Sequence, residues 1–336
     1  MDNIAIIRLS SMGDIILTEP VTRVLKDNFP DSQIFYFTRR IYKTIIGMFP
    51  TSVSVIPLQM SDENQSLREI KKMVQGMNPH FDLVIDLHKN IRSHVIMKNI
   101  NAEKKATYDK FRWQRQKAVW FKIKNNSIST TAKYLLPLTK MNMKIHATEP
   151  RLIVSDFSLK EASKYMQANS LQGKEFAVLA AGASHIPKKL MLNKWAEIAE
   201  MLYQKFGLKS LVVDDQPIAL DEFEPLIKAG IIIADSNIVI QILSGILNFA
   251  KLTISNDSGV MHLSAGIGTP TLGLFGPTHP VLGFAPVGDH CQALTTDESC
   301  SPCSLHGKRE CYKKEQYCFT NMSTGLIENS IKEILR

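Results

Sequence analysis

Residues suited to binding an anion follow an apolar run that ends near Ser255. A polar turn over 256–259 comes next, and His262 lies within the first turns of the helix predicted after it. Turn residues of these types can cap a helix and leave its first N–H groups free, and free N–H groups attract phosphates. The stretch therefore indicates either an anion site or a well-packed βαβ unit with ordinary turns, and its spacing alone does not separate the two.

Two further loops have the same character. Thr271 to Phe275 is predicted as a buried parallel strand, and the loop 276–280 with Thr278 leaves its carboxyl end. The loop 181–189 follows another predicted strand and contains Lys188 and Lys189, and a lysine at such a position could neutralise a diphosphate. Because α/β sheets bind ligands at the carboxyl ends of their strands, the coincidence favours a nucleotide diphosphate site.

The amino-terminal segment carries a carboxylate at a strand-to-helix junction. Ile4 to Ile7 is predicted as a buried strand, the turn 8–14 follows it, and a helix is predicted from about Ile15 to Asn28. The turn is not a GxGxxG dinucleotide motif. Asp14 either supports the helix dipole or serves as a base that faces a cleft.

A second set of polar residues follows the strand predicted at Asp82–Leu87. His88, Lys89 and Arg92 come directly after it, so we expect them at the same sheet edge as Asp14. The alternative is a loop of solvated charges with no ligand.

Strands and helices alternate along the whole chain, which predicts parallel sheets covered by helices. At 336 residues two domains are expected, and the junction is predicted within 145–158. The division is 1–152, 153–322 and a carboxyl-terminal helix at 323–336. The other predicted strands are Gln33–Phe37, Val53–Pro57, Phe176–Ala180, Leu208–Val213 and Ile231–Ala234. The other predicted helices are Arg40–Met48, Ser61–Met77, Ser129–Leu138, Leu159–Asn169, Lys194–Phe206, Asp221–Lys228 and Ile238–Phe249.

The charge is uneven. Residues 1–150 carry 23 Lys and Arg against 13 Asp and Glu, whereas residues 151–336 carry 17 against 19. Lys98 to Lys124 is the most basic region and is interleaved with aromatic residues. Such a segment binds nucleic acid or a membrane interface, or it is a solvated helix face with its aromatic residues turned inward.

Four cysteines are clustered near the carboxyl terminus. Cys300, Cys303, Cys311 and Cys318 form a C-x2-C-x7-C-x6-C pattern. The first residues do not resemble a signal peptide and no apolar run is long enough to span a membrane, so a cytoplasmic protein is expected. There, clustered thiols favour structural zinc or iron, with disulfides or free thiols as the alternatives.

The chain resembles the ADP-heptose:lipopolysaccharide heptosyltransferases, glycosyltransferase family 9, over nearly its full length. The matching motifs are RLSSMGDIILTEPV, IDLHKNIRS, AGASHIPKK and NDSGVMHLSAGIGTPTLGLFGPTHP. The resemblance implies an α/β fold of GT-B type, with two Rossmann-like domains facing across a cleft. It implies inverting transfer of a heptose from ADP-heptose to the lipopolysaccharide inner core, on Kdo-lipid A or a heptosyl acceptor, without a catalytic cofactor or metal.

The resemblance also assigns roles to residues. Asp14 matches the family's general base, and the acceptor is expected at Ser11, Gly13, His88, Lys89 and Arg92. The donor is expected at Lys188, Asp257, Ser258, Gly259, His262 and Thr278. The expected partners are ADP-heptose, an anionic inner-core acceptor and the cytoplasmic face of the inner membrane, and no nucleic acid.

Two other functions are compatible with parts of the sequence. One is a GT-B transferase that uses another nucleotide sugar on a different surface glycan. The other is a protein that binds RNA or anionic membranes through Lys98–Lys124, which leaves the three anion-type loops unexplained.

Overall fold

The computed structural model describes residues 1–58, 66–77, 79–125, 128–214, 216, 231–234, 236 and 238–336. The chain divides into two compact units. The first comprises Met1–Lys110 and Thr130–Ile153, and the second comprises Phe111–Ser129 and Val154–Arg336. The change of unit after Ile153 lies within the junction predicted at 145–158. The segment 111–129 departs from the predicted division, because it packs with the second unit rather than with the rest of 1–152.

The first unit contains a five-stranded parallel sheet. In sequence its strands are β1 (Asn3–Ile7), β2 (Gln33–Arg39), β3 (Ser54–Leu58), β4 (Phe81–Asp86) and β5 (Ala102–Thr107). Their spatial order is β3-β2-β1-β4-β5. Strands β2 and β3 are therefore added on one side of β1, and β4 and β5 on its other side, so the topological switch point of the sheet lies between β1 and β4. The apolar run in β1 lies at the centre of this sheet and is fully buried, which explains why it lacks polar alternation.

The helices of the first unit are α1 (Met12–Ile16), α2 (Glu19–Asn28), α3 (Lys43–Ile46), α4 (Leu67–Gln75), α5 (Ile91–Asn99) and α7 (Thr130–Lys140). The single helix predicted over 15–28 is two helices. Pro20 has no N–H to donate to the preceding turn, so α1 ends and α2 begins with Pro20 in its first turn. Strand β5 was not predicted, because its sequence AEKKAT is a polar edge strand without apolar alternation.

The second unit contains a six-stranded parallel sheet. Its strands are β6 (Phe176–Ala180), β7 (Lys209–Val213), β8 (Ile232–Ile233), β9 (Leu252–Asn256), β10 (Thr271–Phe275) and β11 (Cys291–Thr295). Their order is β11-β10-β9-β6-β7-β8, so the topological switch point of this sheet lies between β9 and β6. Ala180 pairs with Ser255, which places the ends of these two strands side by side.

The helices of the second unit are α6 (Arg112–Phe121), α8 (Asp156–Ala168), α9 (Leu192–Phe206), α10 (Ile240–Phe249), α11 (Gly259–Ile267), α12 (Tyr317–Thr320) and α13 (Thr324–Ile334). Helix α13 packs against α9, β10 and β11, as part of this unit. The helix predicted at Asp221–Lys228 and the start of the one at Ser61–Met77 lie outside the described residues. Among the helices that the structure describes, none is both long and apolar enough to cross a bilayer.

Candidate functional site

A cluster of polar residues around Asp14 lies at the topological switch point of the first sheet, after β1. Its Oδ2 lies 2.7 Å from Nη2 of Arg8 and accepts a hydrogen bond of 2.8 Å from the hydroxyl of Ser11. Its Oδ1 accepts a hydrogen bond of 2.9 Å from the hydroxyl of Tyr134, at the buried face of α7. Asp14 lies in the short helix α1 that follows β1, so the strand end positions the carboxylate.

These contacts control the charge of Asp14. Burial by itself raises the pKa of a carboxyl, but the Arg8 guanidinium and the hydrogen bonds from Ser11 and Tyr134 outweigh it. The pKa of Asp14 falls to about 2. The carboxylate is therefore fully ionised at neutral pH, and it is a weak base while all three partners are in place.

Arg8 is held as firmly as the carboxylate it pairs with. Its Nε donates to the carbonyl of Ser10 at 2.7 Å, and its Nη1 donates to the carbonyl of Leu87 at 2.6 Å. The guanidinium also lies 5.4 Å from the ring centre of Tyr134. The sequence analysis missed Arg8 and Tyr134. Arg8 is the first residue after a buried strand, which is a usable signal, whereas Tyr134 is 120 residues from Asp14 and has none.

The loop after β4 is shaped by Asp86. Its Oδ1 accepts hydrogen bonds of 2.8 Å from the backbone N–H groups of His88 and Lys89. Its Oδ2 accepts one of 2.8 Å from the hydroxyl of Ser93, in the first turn of α5. Because Ile7 pairs with Asp86, this loop leaves the sheet beside the turn that leads to Asp14.

The loop residues differ in exposure. Lys89 is exposed, Arg92 is half-buried and Gly13 is buried within α1. His88 is half-buried, and its burial together with Arg8 and Lys110 lowers its pKa to about 3. His88 is therefore a neutral imidazole at physiological pH. Its buried Nδ1 has no hydrogen-bond partner within the part of the chain that the structure describes.

The polar cluster of the second unit lies at the topological switch point of its sheet, where β6 and β9 end side by side. Lys188 Nζ lies 2.9 Å from Oδ2 of Asp257, which also accepts a hydrogen bond of 2.7 Å from the hydroxyl of Thr278. All three residues are buried. They come from the loops after β6, β9 and β10, which are three separate parts of the sequence. The structure thus brings the three predicted anion-type loops of this unit into direct contact.

The remaining predicted donor residues lie on α11. Ser258 is the N-cap residue of this nine-residue helix, and Gly259 is its first residue. The hydroxyl of Ser258 contacts that of Ser255 at 3.1 Å rather than capping the helix, so the first N–H groups of α11 stay available to an anion. His262 is buried one turn further on, and its ring contacts that of Phe284.

Asn256 fixes the lysine loop to the end of β9. Its side-chain amide donates to the carbonyl of Ala181 at 2.7 Å, and its side-chain oxygen accepts from the N–H of Leu190 at 3.2 Å. Ala181 and Leu190 flank the loop that carries Lys188. The side chain of Asn256 therefore spans the base of this loop, a role that the sequence analysis did not assign.

The cysteine-rich segment packs against the same loop. A Cβ placed on Gly307, whose φ is +69°, would lie 2.2 Å from Cγ of Lys188, so glycine lets the backbone pass directly over the lysine stem. Gln316 donates from Nε2 to the carbonyl of Pro187 at 2.6 Å. The segment therefore supports the position of Lys188, and no local sequence signal predicted this contact.

A cavity of about 570 Å³ adjoins the lysine loop. It is lined partly by the loop itself and partly by the cysteine-rich segment, with Glu310, Cys311 and Gln316 on that side. Asp214, which follows β7, also lines it and accepts hydrogen bonds of 2.9 and 3.1 Å from Lys189. The cavity therefore lies at the carboxyl ends of β6 and β7, with a charged pair at its wall.

The four cysteines lie in one segment of the second unit, near enough to affect one another electrostatically. Burial, followed by the other cysteines, raises the pKa of Cys303 and raises that of Cys318 to about 12. These two groups are therefore neutral thiols at pH 7. Within the described ranges, no group of three or more His, Cys, Asp or Glu side chains is arranged to hold a metal ion.

The two units, each with a parallel sheet and helices, define an α/β protein of the GT-B type. The solved glycosyltransferase of family 9 from Veillonella parvula has the same fold, with a TM-score of 0.81, 20% identity and coverage of 100% of this chain and 98% of that one. The Escherichia coli heptosyltransferase WaaC, solved with ADP, matches with a TM-score of 0.69, 16% identity and 99% coverage of both chains.

The sequence comparisons define the family. The model of glycosyltransferase family 9 (heptosyltransferase) matches residues 70–313, which is more than half of the chain. A curated relative, lipooligosaccharide heptosyltransferase 2 of Campylobacter jejuni serotype O:2, is 22% identical over 331 residues, covering 97% of this chain and 96% of the relative. The chain belongs to glycosyltransferase family 9, the heptosyltransferase family.

Proposed function

We propose that this protein transfers a heptose from ADP-heptose to the inner core of lipopolysaccharide, on Kdo-lipid A or a heptosyl acceptor. The observation that carries the proposal is the contact between Lys188, Asp257 and Thr278 beside the start of α11. It supplies a cation, a hydroxyl and backbone N–H groups at one place, which suits a sugar diphosphate. Membership of the heptosyltransferase family supports a heptose as the sugar that is transferred.

The donor half of the reaction requires stabilisation of the leaving diphosphate. In our proposal Lys188 neutralises the diphosphate, the N–H groups at Ser258 and Gly259 and the hydroxyl of Thr278 bind its oxygens, and His262 lines the site. Asp257 is itself anionic, so its role is to hold the lysine and threonine in position or to accept a hydrogen bond from the sugar. With the leaving charge stabilised in this way, the transfer requires no catalytic metal.

The cavity beside the lysine loop is the proposed place for the nucleoside. Its volume of about 570 Å³ falls within the range of small-molecule sites. Asp214 at its wall can accept hydrogen bonds from ribose hydroxyls, the role that acidic residues have in other nucleotide-binding α/β domains. In this structure Lys189 donates to both carboxylate oxygens of Asp214. When the nucleoside binds, its ribose hydroxyls would replace Lys189 on the carboxylate or donate to it together with Lys189.

The acceptor half is assigned to the first unit. Lys89 and Arg92 supply cations for acceptor phosphates and carboxylates, and Gly13 contacts the acceptor through its backbone. His88 presents the exposed part of its neutral ring to the acceptor, since its Nδ1 is buried. The exposed Ser11 donates to Asp14, so an incoming acceptor hydroxyl takes its place on Oδ2.

The proposed reaction is a single in-line displacement that inverts the anomeric carbon. The acceptor oxygen forms a bond to that carbon while the bond to the diphosphate breaks, and ADP leaves with the electron pair. The hydroxyl proton goes to Asp14. A carboxylate with a pKa near 2 accepts it late, once the new bond has made the hydroxyl more acidic. Loss of Ser11 as a partner also raises the basicity of Asp14.

The test is release of ADP from ADP-heptose with and without Kdo-lipid A. We expect release that depends on the acceptor, is unaffected by EDTA, and gives a product whose anomeric configuration is opposite to that of the donor. Turnover with another nucleotide sugar and none with ADP-heptose would replace the proposal with the alternative GT-B transferase. ADP affinity without any glycosyl transfer would reject it.

We also propose that the protein works at the cytoplasmic face of the inner membrane, because Kdo-lipid A is a lipid-linked acceptor. Structural zinc or iron at Cys300, Cys303, Cys311 and Cys318 is a separate proposal. Metal analysis of untagged protein tests it. About one equivalent of metal that dissociates with loss of the segment's protease resistance supports it, and a content near zero in reducing buffer rejects it.

A further inference from the structure

The large aromatic residues of helix α6 lie on its solvent-exposed face, whereas packing within the protein would place them on the buried face. Ala118 and Val119 face inward and pack on Leu282. Trp113, Trp120 and Phe121 are 72%, 59% and 71% exposed. Residues 113, 117, 120 and 121 have the i, i+4, i+7, i+8 spacing of one helix face. The alternative in which these aromatic residues turn inward is therefore wrong for this helix.

The same face is basic. No Asp or Glu occurs from Phe111 to Asn125, a stretch that contains five Lys and Arg. Lys122 and Lys124 attach the end of the helix to its own unit, through the carbonyl of Pro302 at 3.0 Å and the carboxylate of Asp297 at 2.6 Å. Arg112 and Lys117 are exposed beside the aromatic residues. The outward face of α6 thus combines tryptophan, phenylalanine and positive charge.

We propose that this outward face docks on an anionic lipid bilayer. Tryptophan is enriched at the headgroup level of membranes, and basic amphipathic helices lie in that interface with their apolar residues inserted. The rings of Trp113 and Trp120 contact each other edge to face, with 6.4 Å between their centroids, on a helix whose end is anchored to its unit. Exposed rings packed edge to face can insert together into a planar interface, whereas bases of RNA stack on open ring faces along a groove.

If the protein has the proposed function, docking through α6 brings the enzyme to its lipid-linked acceptor. Its physical basis is independent of the reaction. Insertion of two tryptophans and a phenylalanine supplies the apolar contribution, and Arg112 and Lys117 supply the electrostatic contribution. The binding must therefore depend on both the aromatic residues and the anionic lipid.

The tryptophans make the docking directly measurable. The chain has three tryptophans, and the third, Trp195, is 1% exposed in the core of the second unit. We expect anionic phosphatidylglycerol vesicles to shift the tryptophan emission to the blue, and lipids brominated near the headgroup to quench it. In Trp113→Gln/Trp120→Gln, only Trp195 remains, so both responses should disappear while the circular dichroism spectrum is retained.

Vesicle flotation quantifies the two contributions. Trp113→Gln/Trp120→Gln should lower partitioning by roughly 100-fold, since each large apolar side chain that inserts contributes substantially. Arg112→Gln/Lys117→Gln should lower it roughly 30-fold on anionic vesicles at low salt and have little effect on neutral phosphatidylcholine. The matched control is Phe157→Gln/Tyr203→Gln, which removes two exposed aromatic residues from α8 and α9 and should leave partitioning unchanged.

Three outcomes would overturn the inference. The first is equal partitioning of the tryptophan variant and the wild type. The second is binding to an RNA homopolymer that the tryptophan variant loses, without vesicle binding by the wild type. The third is a dimer that the tryptophan variant dissociates, again without vesicle binding, which would assign the face to a second copy of the chain.

The docking and the proposed reaction can fail separately. The vesicles contain neither ADP-heptose nor a sugar acceptor, so docking is measured without catalysis. Transfer to a delipidated, water-soluble acceptor should be the same in wild type and Trp113→Gln/Trp120→Gln. Docking without any transfer would leave the inference in place and reject the proposed function, and transfer without docking would do the reverse.

Discussion

Removal of the Lys188 charge is the most direct test of the donor site. Lys188→Met keeps the aliphatic stem that packs against Gly307 and removes only the ammonium. A hydrogen bond to a charged partner contributes about 1.5–3 kcal/mol, which corresponds to roughly 10–150-fold in affinity. In the ligand-free protein Lys188 already lies 2.9 Å from Asp257, so part of that gain is offset when ADP binds. We therefore expect ADP affinity to fall by roughly 10–30-fold.

Isothermal titration with ADP at low and moderate salt measures this change. The wild-type affinity should fall with salt more steeply than that of Lys188→Met, because one charge fewer faces the diphosphate. The matched control is Lys194→Met, which removes the same charge from an exposed pair with Glu197 on α9 and should leave the affinity unchanged. An affinity of Lys188→Met within twofold of the wild type would refute the placement of the diphosphate at this lysine.

A melting curve must accompany the titration. Lys188→Met leaves the buried Asp257 with the Thr278 hydroxyl as its described partner, so the variant should be less stable by about 1–3 kcal/mol. Saturating ADP adds a second anion to the same place and should restore less stability to the variant than to the wild type. Equal stabilisation of both proteins by ADP would contradict the role of the lysine.

The remaining predictions concern the base, its partners and the cysteine-rich segment. Asp14→Asn should reduce transfer by about 10²–10⁴-fold with unchanged ADP affinity, because only the proton acceptor is lost; full turnover would exclude Asp14 as the base. Since the pKa of Asp14 is about 2, the wild-type rate should show no acidic limb from this group between pH 5 and 8. Tyr134→Phe removes a hydrogen bond that lowers this pKa, so the pKa should rise. The lowered pKa stabilises the fold above pH 4, and this contribution, about 2 kcal/mol, is lost as the pH falls towards 2. The loss should be smaller in Tyr134→Phe, and identical acid unfolding profiles would speak against the contact. Gly307→Ala should weaken ADP binding without removing a charge, because its Cβ meets the Lys188 stem at 2.2 Å, whereas Gly325→Ala, with its nearest atom at 3.9 Å, is the neutral control.

The sheets and the loops at their ends could be read from local sequence. Ile4 to Ile7, Phe176 to Ala180 and Thr271 to Phe275 are short apolar runs bounded by turn residues, which is the pattern of strands buried on both faces. Because the strands are parallel, the polar residues after each one collect at the same edge. This rule was sufficient to nominate the loops that carry Asp14, Lys188, Asp257 and Thr278, and the resemblance to the heptosyltransferase family then selected these residues within the loops.

Polar and amphipathic elements were harder to predict. Strand β5 carries charges on consecutive residues and pairs at an edge, so it lacks the apolar signal on which strand prediction depends. Helix α6 belongs to the second unit although its flanking segments belong to the first. The orientation of its aromatic residues depends on the contact of Ala118 and Val119 with Leu282, which is more than 160 residues away.

The sequence by itself therefore determined the α/β class, the parallel strands and the positions of the candidate site loops, since these follow from local periodicity and turn residues. Only the tertiary structure decided how the polar groups of these loops are held. The contact of Tyr134 with Asp14, and the passage of Gly307 over Lys188, join residues about 120 positions apart. Such contacts depend on the packing of distant elements, and no local pattern records them.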